Sequence, residues 1–174
     1  MRDTEIIESI RSKLAVETGR HLYGVLGNYA ALDGFAKKLR QARTADSQQF
    51  PKPLSVNHGI LSAIPDDEFK RLVLDEARRP EPTAAHVAKA FETFLRSKTR
   101  HRNTLLLSNL ELLFAYNVEL NLLRTMAADD TRIILLLPGK RERGRVVMFP
   151  GSQDREYLLP INLIAENHLW ELKG

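Results

Sequence analysis

The chain contains no cysteine. Disulfide staples, a thiolate-bound zinc and a thiol nucleophile are therefore excluded, and a reducing compartment suits it. Long apolar runs are missing too. The longest, such as Ile133 to Pro138, fall far short of a bilayer's thickness. The opening residues, Met1 to Glu5, carry acids and lead into an amphipathic segment instead of an apolar signal core. The expectation is a cytoplasmic protein with no membrane partner. No Gly-Lys-Ser/Thr triplet occurs, and no Ser lies in a Gly-x-Ser-x-Gly setting. The histidines (His21, His58, His86, His101, His168) show neither HxH nor HxxxH spacing. On these grounds no catalytic residue, cofactor or metal ligand is assigned.

What remains is ordinary globular material. The 174 residues are 43 % hydrophobic and 28 % charged, enough to bury a core and unlike a disordered chain. One α/β domain over residues 1–174 is expected. The net charge of +4 is compatible with nucleic acid without demanding it.

Thr4 is placed as the N-cap of a first helix carrying Ile6, Ile7, Ile10 and Leu14, stopped by Gly19. His21 to Leu26 reads as a strand and Tyr29 to Arg43 as a second helix. After a polar loop, Pro53 to Val56 suggests a short strand and Ile60 to Ile64 a helical piece. Asp66 or Asp67 then starts a helix with Phe69, Leu72 and Val73 inward and Pro80-Glu81-Pro82 as its end. Thr83 is read as the cap of the next, bearing Val87, Ala90, Phe91, Phe94 and Leu95. Thr104 to Leu107 and Ile133 to Leu137 are continuous apolar runs, which suit strands covered on both faces. Leu110 to Met126 reads as one helix or two short ones. Arg145 to Phe149 forms a further strand after a hairpin turn, and Pro160 to Asn167 a last short helix. Leu169 to Leu172 is a terminal strand or packing tail. The sum is a three-layer α/β fold with a mostly parallel sheet flanked by helices.

In such folds ligands sit outside the carboxyl ends of the strands. The first such place is Val25 to Gly34. Strand, glycine, turn and helix are in order, but the glycines and the lysine of a phosphate loop are absent, and Asp33 would repel a phosphate. The strand at Thr104 to Leu107 ends in Ser108-Asn109, where a magnesium-binding site needs a carboxylate. Glu111 is the nearby acid, and at a helix start it reads as solvent-facing. Both halves of a nucleotide site are lost together.

Two basic clusters remain. One holds Lys89, Arg96, Lys98, Arg100 and Arg102 against Glu92; the other holds Lys140, Arg141, Arg143 and Arg145 against Glu142. Arg96, Lys98, Arg100, Arg102, Lys140, Arg141, Arg143 and Arg145 are candidate contacts for DNA or for a protein partner. In a parallel sheet the first group enters a strand and the second leaves one, which sets them on opposite edges. The apolar residues between Leu110 and Leu123 outnumber one helical stripe, so burial or a partner surface would absorb the rest.

The run Leu105 to Phe114, the Ile133 to Gly139 strand with its Pro-Gly, the Gly144 to Phe149 strand and the pair Glu156-Tyr157 resemble small proteins of bacteriophage-exclusion (BREX) defence islands. Pro-Gly, glycine, a strand ending in Phe and an acid-Tyr pair look like the BrxB group. Ser108 to Phe114 looks like the BrxF group, which has Asp where Ser108 stands and also a phosphate loop. The likeness covers about residues 54–160, and the missing loop and Asp bring the chain nearer to BrxB. What the resemblance implies is a degenerate P-loop-type fold and a non-catalytic adaptor role in restricting phage. The implied partner is a larger PglZ-like protein of the same system, with DNA as the alternative.

Overall fold

Side chains alternate across a strand, so each apolar run feeds two faces of a sheet at once. Leu105, Leu107, Ile133, Leu135 and Leu137 enter one core, while Leu106, Ile134 and Leu136 enter the other. The same division runs through Leu22 and Leu26 against Tyr23 and Val25. Two cores on one sheet make three layers. The computed structural model describes residues 1–76, 78, 80–152 and 155–174.

The elements run α1 (Asp3–Leu14), β1 (Leu22–Gly27), α2 (Tyr29–Gln41), β2 (Pro53–Ser55), α3 (Val56–Ala63), α4 (Asp66–Asp75), α5 (Pro80–Thr99), β3 (Thr104–Ser108), α6 (Glu111–Ala115), α7 (Asn121–Met126), β4 (Arg132–Glu142), β5 (Arg145–Met148), β6 (Tyr157–Leu158), a 3-10 turn (Glu166–His168) and β7 (Leu169–Glu171). The sheet order is β2-β3-β4-β1-β7, and every pair along that path is parallel. β4 continues past the sheet into an antiparallel ribbon with β5 and β6. α1 and α2 cover one face; α3, α5, α6 and α7 cover the other.

Several boundaries differ from the sequence reading. Arg2, not Thr4, caps α1; the Glu5 carboxylate accepts from the Arg2 amide at 2.8 Å. That helix ends at Leu14, well short of Gly19, whose φ of +95° serves the turn into β1. Pro80 to Pro82 opens α5 instead of closing α4, because a helix's first turn has no use for the amide hydrogens that proline lacks. Thr83 is therefore inside the helix and buried, not a cap. Leu110 to Met126 resolves into two short helices, and the large apolar residues between them are packed into or against the sheet's core. They leave no broad partner surface there. The last helical piece is only the 3-10 turn Glu166–His168, whereas the terminal strand is present as β7.

α4 departs most. None of its side chains is buried: Phe69 and Val73, expected inward, are 40 % and 57 % exposed, and Leu74 is 77 % exposed. α3 and α5, by contrast, touch closely. A Cβ on Gly59 would sit 2.3 Å from the Phe94 ring, so only glycine permits this approach.

Candidate functional site: the carboxyl ends of the strands

β1 hands the chain to α2 on one face, whereas its neighbour β4 hands it to the ribbon on the other face. A crevice opens at such a switch point in ligand-binding α/β sheets. Here it is filled from within.

The connection from β1 to α2 is a single residue, Asn28. Its side-chain oxygen accepts from the Ala31 amide at 2.8 Å, capping α2 and occupying an amide that an anion would need. Leu172 leans on Gly27 from the other side; a Cβ there would lie 3.1 Å from a Leu172 methyl. Asp33 is turned outward on α2, paired with Lys37 at 2.7 Å.

Beside this turn, Glu111 at the start of α6 draws three strand ends together. Tyr29 donates its hydroxyl to Glu111 Oε1 at 2.9 Å, and Asn57 donates its amide to Oε2 at 2.8 Å. Asn57 Oδ1 accepts from the Leu112 amide at 3.0 Å, and the Asn57 amide donates to the Asn109 carbonyl, also at 3.0 Å. Ser108 donates to the Leu54 carbonyl at 3.4 Å. Asn109 adopts a left-handed φ of 54°, which its short polar side chain tolerates and which turns β3 into α6. Burial, then the Glu111 carboxylate, push the Tyr29 hydroxyl up to about 12. Glu111 is thus not a free solvent-facing acid, as its sequence position implied. Both of its oxygens are engaged within the chain. Tyr29 and Asn57 escaped the sequence reading because neither lies in a motif; each matters through what the fold sets opposite it.

The basic clusters do not form one groove. Arg96 pairs with Glu92 at 2.9 Å on the exposed side of α5. Lys98, Arg100 and Arg102 follow it to the amino end of β3, and Arg102 lines a cleft with Lys52, Asn103 and Arg132. Arg132 is spent on chain carbonyls there, donating to Leu14 at 3.0 Å and Val16 at 3.2 Å.

The second cluster forms the β4–β5 hairpin. Arg143 and Gly144 are its two turn residues, with φ of 50° and 75°, the left-handed pair that tight hairpins favour. Lys140 pairs with Glu142 at 3.2 Å. This cluster does leave β4 beyond the carboxyl end of its parallel part, and the hairpin then turns back over the β1–β7 side. Arg141 Nη2 donates to the Leu169 carbonyl at 3.0 Å, and Gly144 and Arg145 share a groove with Arg20 and Leu22 from the entry to β1. Gly139 permits the bend; a Cβ on it would come 2.7 Å from the Val147 carbonyl oxygen. Arg20 and Arg124, which line the same groove, went unnoticed in the sequence because each stands alone there.

Among the described residues, no group of three or more His, Cys, Asp or Glu side chains is placed to hold a metal ion, and no helix is long and apolar enough to cross a membrane. Family models, curated proteins and solved structures contain no match to this chain.

Proposed function

We propose that this chain is a non-catalytic accessory protein that acts by binding a larger protein, the role implied by its BrxB-like residues in a phage-defence system. One observation carries the reading. The place where an α/β sheet holds its ligand is closed by the chain's own hydrogen bonds, centred on Glu111 with Tyr29 and Asn57. A binding site for triphosphate would need those donors free and a loop longer than Asn28 alone.

The P-loop-type ancestry belongs to the same proposal. Its support is the retained sequence of parallel strand, glycine and helix at Gly27 to Tyr29, with the phosphate-binding residues missing. The residues behind the resemblance also work together. Phe114 from the Ser108 to Phe114 run meets Phe149 edge-to-face at 5.3 Å, and Tyr157 of the acid-Tyr pair packs on Phe149 at 5.9 Å. Glu156 of that pair lies 3.5 Å from Arg145. Such features anchor the β5–β6 ribbon to α6, a structural duty compatible with a scaffold.

Two measurements test the proposal. Thermal unfolding of the pure chain with ATP and magnesium is expected to show no stabilisation; a clear rise would overturn the closed site, and turnover of ATP the non-catalytic reading. Co-purification with a PglZ-like protein of a phage-defence system from the same source is expected to give a stable complex. Failure of the two full-length proteins to associate would remove the partner.

A further inference from the structure

We infer that the groove between the β4–β5 hairpin and the 158–169 segment is an interaction surface for an extended acidic, apolar segment of a protein partner. This rests on the reading of the chain as a binding protein, and it assigns that role a place and a chemistry. The groove holds about 780 Å³ and is lined by four arginines (Arg20, Arg124, Arg141 and Arg145) against a single acid, Glu166. These come from four separate places in the chain: the entry to β1, α7, and the two strands of the hairpin. No helix or loop needs them together, yet the fold brings them to one rim.

The guanidinium groups are unequally engaged. Arg141 holds Glu166 at 2.7 Å and Arg145 holds Glu156 at 3.5 Å. Arg20 and Arg124, both exposed, make no ion pair among the described residues. The occupied pair shows that carboxylates reach these guanidinium groups, Glu166 inside the groove and Glu156 beyond its lining. The other pair offers the same chemistry to an outside group. The Glu166 side chain is 82 % exposed and can yield Arg141 to a better-placed carboxylate without unburying a charge.

The rest of the lining decides between acidic partners. Its side chains include Val146, Leu158, Leu159, Ile161 and Leu163, with no Phe, Tyr or Trp. Nucleic acid would find phosphate contacts there, but the one aromatic ring in the lining, His168, is already packed against Tyr23 at 4.7 Å. A peptide alternating acids with leucine-like residues satisfies both parts. Ile161 is 87 % exposed and Leu158 39 % exposed, large apolar groups at the mouth of the groove that such a segment would cover.

The experiment uses the full chain and three fluorescent probes: an acetylated peptide alternating glutamate and leucine, its lysine–leucine counterpart, and a single-stranded DNA oligonucleotide. Anisotropy at low salt is expected to show binding of the glutamate peptide, weakened by salt. The double variant Arg20→Glu with Arg124→Glu should lower that affinity by about tenfold or more, since it reverses charges that no internal partner needs. Ile161→Lys should weaken it as well. The control Lys98→Glu with Arg100→Glu should leave it unchanged, and thermal midpoints verify that every variant folds. No binding of the glutamate peptide, equal binding of the lysine peptide, or tighter binding of the oligonucleotide through Arg20 and Arg124 would each overturn the inference. The two proposals fail separately. If the PglZ-like protein still binds the double variant, the groove is wrong and the adaptor role stands. If the peptide binds as expected but that protein never does, the groove stands and its named partner falls.

Discussion

His21 shows how one residue sets a pH limit. It is 2 % exposed, its Nδ1 lies 2.7 Å from the Tyr23 hydroxyl, and its Nε2 has no hydrogen-bond partner among the described residues. Burial, then the Arg132 charge and His168, lower its affinity for a proton below the ordinary 6.5. His168, its ring tilted against Tyr23 at 4.7 Å, is lowered too, chiefly by its own burial. Below pH 6.5 the unfolded chain therefore takes up protons that the folded one refuses, so folding stability is full above that pH and declines as pH falls through it. Urea unfolding across this range is expected to show the decline, and His21→Leu should flatten it; an unchanged slope would assign it elsewhere. Glu111 supports a second prediction at this scale. Glu111→Ala strips Tyr29 and Asn57 of their acceptor and should cost about 1–3 kcal/mol, while Glu111→Gln, which keeps one acceptor oxygen, should cost less. Urea midpoints of the two variants check the order.

At the scale of elements, legibility followed what each segment does with its side chains. β3 and β4 could be read because Leu105 to Leu107 and Ile133 to Leu137 are buried on both faces, and a strand is the economical way to bury such a short run. β7 was half legible, read as a strand or a packing tail, and Leu169 and Trp170 face opposite cores as a strand requires. α4 misled. Its periodicity is genuine, yet neither Phe69 nor Val73 is buried, since amphipathic spacing records what a helix could bury and not whether a neighbour arrives. The site was less legible still. Arg20 and Arg124 lie 104 positions apart, so no local count could join them. The helix's exposure is open to test. Leu74→Lys should shift stability by no more than about 0.5 kcal/mol. Ile60→Ala, in the buried face of α3, should cost about 2–5 kcal/mol. Parallel thermal melts would show whether α4 is as loosely held as its exposure implies.

For the whole molecule, the order β2-β3-β4-β1-β7 sets the first strand of the chain beside the last. Gly24 pairs with Leu169, Val25 with Trp170 and Leu26 with Glu171. The ends are tied further: the Met1 ammonium donates to the Glu171 carbonyl at 2.7 Å, and the Lys173 amide donates to the Met1 carbonyl at 3.2 Å. Removing residues 169–174 should therefore cost far more than a terminal trim usually does, exposing one edge of β1 and emptying the Trp170 and Leu172 places in the core that α1 and α2 share. Loss of a cooperative melt on truncation is the expected outcome.

Synthesis gives that pairing a temporal meaning. A nascent chain emerges amino end first, so β1 leaves the ribosome early with an unpaired edge on each side. It gains β4 only once residues 132–142 have emerged, and β7 only after residues 169–171 follow. Until then β1 is a sticky template, and a stalled or prematurely ended product would be prone to pair with other chains.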